Sequence, residues 1–273
     1  MQPPQNYLWA LKNMSNRGVV YAVTQSDVYL EAALMSALAL RSLEPSLPIT
    51  IVADHPQLTT LALERHQITP LFLGELPLSS AFASRWLKTN LNRVSPYTET
   101  LFLDADILPL QPVTPLWDYL ADRDWAMAAD RLPTVEMCDH VAVEEKTYTL
   151  MRSPPNTLQF NSGVLLWRDN PATQTLFEQW YAEWQVFQQQ DQLALVRALQ
   201  TTGLPVATLP KTYNISPLDA TPLLQAGETV HLLHCWGGQV ASGEFRRLMA
   251  QYYPEVMVDL GQLRGVSVMQ NRP

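Results

Sequence analysis

Short apolar runs alternate with amphipathic stretches through the first part of the chain. The runs are rich in Val, Ile and Leu, which is typical of buried strands, and the stretches between them carry apolar residues at helical spacing. The pattern predicts strands at 19–24, 49–53 and 68–73, a strand that leads into residue 104, and helices at 28–43, 57–65 and 83–94. We expect Asp27 to cap the first helix. This alternation favours an α/β fold with a mostly parallel central sheet and helices on both faces.

The rest of the chain is less regular. Its periodicity predicts strands at 125–129, 160–167 and 229–235 and helices at 172–184, 191–201 and 244–252. Residues 130–158 follow neither period, and an irregular stretch of that length is typical of a binding loop. We expect a single domain at 18–253, an N-terminal extension at 1–17 and a C-terminal tail at 254–273.

Composition narrows the possible functions. The chain has 273 residues, of which 47% are hydrophobic, so it can form one large core. The net charge of −8 argues against a nucleic-acid partner. No apolar run is long enough for a transmembrane segment, and the N-terminal stretch does not resemble a signal peptide. With only two cysteines, a reduced, cytoplasmic setting is the expectation, and oligomeric state stays open.

Two carboxylates stand one residue apart at the end of the fourth predicted strand. In extended backbone Asp104 and Asp106 point to the same face, at the edge where open α/β sheets bind ligands. Two such anions repel unless a cation lies between them or one takes a proton. The apolar flanks argue against two simply solvated carboxylates. The pattern therefore favours a divalent metal that carries a phosphorylated substrate.

One specific alternative is a phosphatase of the haloacid dehalogenase type, which also places Asp-x-Asp after an apolar strand. Such enzymes normally have Thr or Val two residues after the second Asp, where this chain has Leu108. Their motif also stands near the start of the domain rather than after three strands.

Three further features carry possible chemistry. His234 precedes Gly237 and Gly238 at a strand end, and a histidine beside two carboxylates suits Mn²⁺ better than Mg²⁺, although a lone histidine is more often structural. The triplet 161–163 is either a turn or a set of hydrogen-bonding groups for a polyhydroxy ligand. The pair 191–192 could be no more than a helix N-cap. Trp236, Tyr213 and Tyr97 could stack on sugar rings, though aromatic residues are more often core.

Taken together, these motifs resemble the glycogenin and lipopolysaccharide-galactosyltransferase family, which is family 8-like and has the GT-A (nucleotide-diphospho-sugar transferase) fold. The similarity covers about residues 18–250. Its motifs stand in the family's order: Thr-x-x-Asp-x-Tyr at 24–29, a lysine 16 positions before Asp104, Phe-Asn-Ser-Gly-Val at 160–164, Asp-Gln at 191–192 and a histidine three residues before Gly237.

The resemblance implies transfer of a sugar from a nucleoside diphosphate donor, most often a UDP-sugar, to a hydroxyl acceptor (a glycan, a lipid or a small molecule), with retention of configuration. It implies Mn²⁺ or Mg²⁺ held by Asp104, Asp106 and His234. The implied donor-binding residues are Thr24, Ser26, Asp27, Tyr29, Lys88, Asp104, Ala105, Asp106, Ser162 and Gly237. The implied catalytic residues are Asn161, Asp191 and Gln192, with Asp191 a candidate stabiliser or nucleophile.

The chain departs from the family at one point. Members usually carry Lys-Pro-Trp after the ligating histidine, and this lysine contacts the donor diphosphate, whereas here the sequence continues Gly-Gln-Val-Ala-Ser-Gly from residue 238. Either Arg246 or Arg247 compensates, or donor binding is altered. A catalytically weak or inactive nucleotide-sugar-binding protein is therefore the alternative to an active transferase.

Overall fold

The computed structural model describes residues 15–263 except 75, 77 and 78. The strands are β1 (Ser15–Val23), β2 (Ile49–Ala53), β3 (Ile68–Phe72), β4 (Tyr97–Leu103), β5 (Ile107–Pro109), β6 (Trp125–Thr134), β7 (Leu158–Arg168), β8 (Ala207–Leu209) and β9 (Leu232–His234). The α-helices are α1 (Asp27–Leu43), α2 (Ser80–Lys88), α3 (Leu91–Val94), α4 (Val143–Leu150), α5 (Pro171–Trp184), α6 (Gln192–Thr202), α7 (Pro217–Gln225), α8 (Glu244–Tyr252) and α9 (Pro254–Leu263).

A seven-stranded sheet in the order β3-β2-β1-β4-β7-β6-β8 forms the centre of the molecule. Its strands pair in parallel except at β7, which runs antiparallel to both β4 and β6. The predicted α/β class with a mostly parallel sheet is confirmed. A separate two-stranded ribbon joins β5 to β9 in antiparallel register.

Side chains of β1 alternate between two apolar clusters, one on each face of the sheet. Val19, Tyr21 and Val23 belong to the cluster that includes residues of α1, α8 and α9, while Val20 belongs to the cluster with residues of α2, α3, α5 and α6. This alternation follows from the two-residue period of a strand. Helices therefore cover both faces, as the sequence predicts.

Helix α1 begins one residue earlier than predicted, and its cap differs. The side chain of Ser26, not that of Asp27, accepts a hydrogen bond from the backbone N–H of Tyr29. Ser26 has extended backbone, which is the conformation of an N-cap residue. The prediction that Asp27 caps this helix is wrong, because Asp27 already lies in the first turn.

Two predicted helices are broken in the structure. Residues 57–65 form two 3₁₀ helices, Pro56–Thr60 and Leu63–His66, because Leu61 between them has extended backbone. Residues 83–94 divide into α2 and α3, since the side-chain amide of Asn90 donates to the carbonyl of Trp86 while its backbone N–H donates to that of Leu87 instead. Such local bonds compete with the backbone ladder.

The predicted irregular stretch at 130–158 contains regular structure. Strand β6 continues to Thr134, a 3₁₀ turn follows at Val135–Met137, and α4 covers Val143–Leu150. Register shifts in the pairing of β6 with β7 explain why an alternating pattern is missing from the sequence here.

Residues 254–263, placed in the predicted tail, form α9. Its Val256 and Leu260 are 1% and 2% exposed and belong to the same cluster as α1. The Tyr253 hydroxyl just before it donates to the carbonyl of Pro109. The division into extension, domain and tail stays a prediction. Across the described residues, every helix falls short of the length and apolar character that a bilayer crossing needs.

If α9 belongs to the cooperative core, Leu260→Ala should lower the free energy of unfolding by about 2–5 kcal/mol, the usual range for a buried leucine. Val258→Ala is the matched control, because Val258 lies on the same helix but is 45% exposed, and it should change stability by less than about 0.5 kcal/mol. Urea unfolding measures both. Equal effects of the two substitutions would contradict the packing of α9.

Candidate active site

The turn after β4 carries both predicted metal-binding carboxylates. Asp104 follows the last residue of β4, and its backbone N–H donates to the carbonyl of Gly163 at 2.8 Å. The carbonyl of Asp106 accepts from the N–H of Cys235 at 2.9 Å. Backbone bonds to β7 and to the chain after β9 therefore fix this turn on both sides.

Strand β9 brings His234 to the carboxylates, because Ile107 pairs with His234 in the β5–β9 ribbon. The His234 Nε2 atom lies 3.3 Å from Asp106 Oδ1 and 3.8 Å from Asp104 Oδ2. One ligand atom from each of these three side chains lies within 4.8 Å of the others. The structure thus assembles the three residues that the sequence analysis selects as metal ligands.

The distances from His234 Nε2 to the two carboxylates are compatible with a single divalent ion. Two ligands of one Mg²⁺ lie at most about 4.2 Å apart, twice the metal–oxygen distance of about 2.1 Å. The two distances from Nε2, 3.3 Å and 3.8 Å, satisfy this limit.

The ring of His234 is tightly enclosed. It is buried, and Trp236 contacts it edge-on with ring centroids 4.8 Å apart. A Cβ atom added at Gly163 would lie 2.2 Å from its Cε1 atom. Residue 163 must therefore be glycine for the ring to keep this position. At its other nitrogen, Nδ1 lies 2.8 Å from Asn214 Oδ1.

Two cations from α2 enter the site. The Lys88 ammonium lies 2.7 Å and 2.8 Å from the two carboxylate oxygens of Asp104. Arg85 is one turn earlier on the same face of the helix, and its Nε atom lies 3.1 Å from Asp191 Oδ1. The sequence motifs include Lys88 but not Arg85. The spacing of three residues on a helix is the signal that could have found it.

Asp191 immediately precedes α6 and is buried. Its side chain does not cap that helix. Instead Asp191 Oδ2 accepts a hydrogen bond from the Ser162 hydroxyl at 2.6 Å. Burial raises its pKa, but the charges of Lys88 and Arg85 and the bond from Ser162 outweigh burial and leave the pKa below its ordinary value. Asp191 is therefore held as a carboxylate.

Asp106 is ionised for a similar reason. Burial acts to raise its pKa, while His234 and then Lys88 lower it, and the net pKa lies below the usual value. The carboxylates also affect Tyr29, whose pKa is raised by burial and by the nearby charges of Asp106 and Asp104. The Tyr29 phenol is therefore uncharged at neutral pH.

A cavity of about 430 Å³ opens beside these groups. Its lining brings together most of the residues predicted from sequence: Thr24, Ser26, Tyr29, Lys88, Asp104, Ala105, Asp106, Asn161, Ser162, Asp191, Gln192, His234 and Gly237. Asp27 is not part of the lining, and its carboxylate lies 2.9 Å from His55 Nε2. The cavity wall also includes Arg85, Ser84, Gln190 and Trp236.

Neither arginine proposed to replace the family lysine reaches the cavity. Arg246 pairs with Glu31, and Arg247 pairs with Glu244 on its own helix. Compensation by these two side chains is therefore not what the structure shows. Of the described residues that follow His234, Trp236 and Gly237 line the cavity, whereas the departing segment from residue 238 to 243 does not.

The fold is similar to solved glycosyltransferases. The galactosyltransferase LgtC, in complex with donor and acceptor sugar analogs, matches with a TM-score of 0.58 at 17% identity over 92% of this chain and 96% of that one. GlyE of Streptococcus pneumoniae TIGR4 matches with a TM-score of 0.58 at 17% identity, over 92% and 65%. The bifunctional WbbM matches with a TM-score of 0.59 at 13% identity, over 90% and 52%. No curated protein sequence matches the chain.

The protein thus has the GT-A fold of glycosyltransferases. It belongs to glycosyl transferase family 8, whose model matches residues 83–239, more than half of the chain. The resemblance drawn from the motifs is confirmed at the level of family and fold. Membership of this family disfavours the phosphatase alternative.

The ionised state of Asp191 should be visible in the pH dependence of stability. Its folded-state pKa lies below the unfolded value of about 3.9, so its contribution is fully present above that value and is lost as the pH falls through the lowered pKa. Asp191→Asn removes the contribution. We expect the stability difference from wild type to be largest near neutral pH and to shrink toward about pH 3.

Urea unfolding across this pH series measures the difference. Asp122→Asn, at an exposed aspartate outside the cavity lining, is the control and should show little pH-dependent change. A difference for Asp191→Asn that stays constant or grows in acid would contradict the ionised, stabilised carboxylate.

Proposed function

We propose that this family 8 glycosyltransferase is metal-dependent and transfers a sugar from a nucleoside diphosphate donor, most often UDP-linked, to a hydroxyl acceptor with retention of configuration. The observation that carries the proposal is the group of Asp104, Asp106 and His234 at the wall of the 430 Å³ cavity. This volume lies in the range of about 300–1,000 Å³ that is usual for small-molecule sites.

Asp104, Asp106 and His234 would hold Mn²⁺ or Mg²⁺. When bound, the ion would supply Lewis-acid stabilisation of the negative charge that develops on the diphosphate. Lys88 contacts Asp104 and faces the same cavity, so its ammonium adds positive charge to this end of the site. The same ammonium also reduces the electrostatic repulsion between Asp104 and Asp106.

The nucleoside would lie at the end of the cavity formed by the β1–α1 connection. Tyr29 is 41% exposed while lining the cavity, which leaves its ring free to stack on a base. Thr24 and Ser26 line the same end. A contact of Asp27 with the ribose stays a prediction, since its carboxylate pairs with His55.

The sugar and the acceptor would lie near Asn161, Asp191 and Gln192. During transfer the bond between the anomeric carbon and the diphosphate oxygen breaks, and its electron pair leaves with the diphosphate. The acceptor oxygen forms the new bond to the anomeric carbon, and its proton passes to the departing diphosphate or to solvent. Asp191, kept ionised by its cationic neighbours, would either stabilise the positive charge on the sugar or act as the nucleophile.

A nucleotide-sugar-binding protein with weak or no turnover is the second candidate. The observation in its favour is that Arg246 and Arg247 pair with Glu31 and Glu244 and leave the cavity without their charge. We propose that the acceptor is a glycan, a lipid or a small molecule. We also propose that the protein works in the cytoplasm. Two buried free cysteines, Cys138 and Cys235, agree with a reducing compartment.

Asp106→Asn should lower metal-dependent turnover by roughly 100-fold or more, because it removes a charged ligand, and should leave the fold intact. Released UDP or GDP, measured with and without Mn²⁺ across a panel of donor sugars, reports turnover. Asp122→Asn is the control and should keep the wild-type rate. Wild-type turnover in Asp106→Asn would rule out the metal role.

Donor and metal should bind together. UDP with Mn²⁺ should raise the melting temperature clearly, whereas either alone should raise it little, because each would contribute to the binding of the other. Differential scanning fluorimetry measures the shift. Stabilisation without turnover on any donor would favour the binding-protein alternative. No shift with any nucleotide would count against both.

A further inference from the structure

A line of hydrogen bonds between side chains runs from strand β6 to the ring of His234. Asn161 Nδ2 donates to Asp130 Oδ2 at 3.2 Å. Asn214 Nδ2 donates to Asn161 Oδ1 at 3.1 Å. Asn214 Oδ1 then lies 2.8 Å from His234 Nδ1. The line ends at a candidate metal ligand, so the direction of its donors determines where the imidazole proton sits.

Two neighbours fix the orientation of the Asn161 amide. The carboxylate of Asp130 can only accept, so it requires the NH₂ group of Asn161. The backbone N–H of Gly163 can only donate, and it lies 3.0 Å from Asn161 Oδ1. Asp130 and Gly163 therefore each require the same orientation of the Asn161 amide, independently of one another.

The orientation passes from Asn161 to Asn214. Asn161 Oδ1 is an acceptor, so Asn214 must present its NH₂ group to it and its own oxygen to His234. That oxygen can only accept. His234 Nδ1 must therefore carry a proton, and in the neutral ring Nε2 is left with the lone pair, which faces Asp104 and Asp106.

The position of the His234 ring is fixed by its surroundings. Gly163 and Trp236 enclose it, and its backbone N–H donates to the carbonyl of Ile215 at 2.8 Å. Ile215 follows Asn214 and forms a β-bridge with Leu233. The backbone next to Asn214 is thus held by bonds that do not involve its side chain, and a substitution at 214 should leave them in place.

We propose that Asn214 is a positioning residue, which holds His234 in the Nδ1-protonated tautomer and keeps Nε2 free to bind the metal between Asp104 and Asp106. The inference rests on the proposed metal-dependent function for its consequence. Without the Asn214 oxygen, the neutral ring would gain by moving its proton to Nε2 and donating to Asp106. That proton would then occupy the nitrogen that the ion needs.

Two variants separate the role of the oxygen from simple packing. Asn214→Leu keeps a similar volume and removes the acceptor. Asn214→Asp keeps an acceptor for Nδ1–H, although it loses the donor to Asn161. The matched control is Asn92→Ala, since Asn92 is also a buried amide bonded to another amide, Gln174, and does not line the cavity. Urea unfolding verifies that each variant folds.

The first readout uses no metal and no nucleotide. Long-range ¹H–¹⁵N NMR of ¹⁵N-histidine-labelled protein, at a pH where the ring is neutral, identifies the protonated nitrogen, and His234→Gln assigns the signals. We expect Nδ1–H in wild type, Asn214→Asp and Asn92→Ala, and Nε2–H in Asn214→Leu. Nε2–H in wild type, or Nδ1–H in Asn214→Leu, would overturn the inference.

The second readout is Mn²⁺ affinity in the presence of UDP, measured from the free Mn²⁺ signal in electron paramagnetic resonance. Asn214→Leu should bind Mn²⁺ about 10–100-fold more weakly, the usual effect of removing the partner of a ligating histidine. Asn214→Asp should recover much of the loss, and Asn92→Ala should match wild type. Equal affinity of wild type and Asn214→Leu would refute the positioning role. If wild type binds no Mn²⁺, the proposed function fails, and the tautomer measurement still decides the role of Asn214.

Discussion

Repulsion between carboxylates is the main physical constraint on the cavity at the carboxyl ends of β1 and β4. Asp104, Asp106 and Asp191 line one cavity and are partly or fully withdrawn from water. Each unpaired charge there would cost free energy. Helix α2 supplies two cations one turn apart. Lys88 pairs with Asp104, and Arg85 pairs with Asp191. Asp106 lies 3.3 Å from His234 Nε2, and the proposed divalent ion would add positive charge beside these two side chains.

The scaffold explains how groups far apart in the chain meet. Parallel strands end at one edge, so the β1–α1 connection and the turn after β4 lie side by side. The antiparallel β7 brings Asn161, Ser162 and Gly163 back to the same edge. The short β5–β9 ribbon then adds His234. The proposed nucleotide, metal and sugar would therefore be contacted by side chains from several elements rather than from one.

Several features could be predicted from residues alone. The paired carboxylates, the histidine before Gly237 and the order of the motifs identify the family, and the alternation of strands and helices identifies the fold class. Other features could not be predicted, because side-chain hydrogen bonds compete locally with the backbone pattern. The side-chain bond of Asn90 to Trp86 ends α2 early, and Ser26 rather than Asp27 caps α1. The register shifts of β6 hide its extension, and the packing that buries α9 is invisible in its sequence.

The sequence by itself determined which chemical groups are present and in what order, because strand period and motif spacing are local properties. It selected Asp104, Asp106 and His234 as partners, although the two carboxylates lie in a turn and not in the extended backbone that the strand pattern predicts. Only the tertiary structure decided which groups pair: Arg85 with Asp191, Arg246 with Glu31, and Asn214 with the ring of His234. Those pairings depend on distances set by strand register and helix packing, and charge and hydrogen-bond energies fall off too steeply with distance for spacing along the chain to predict them.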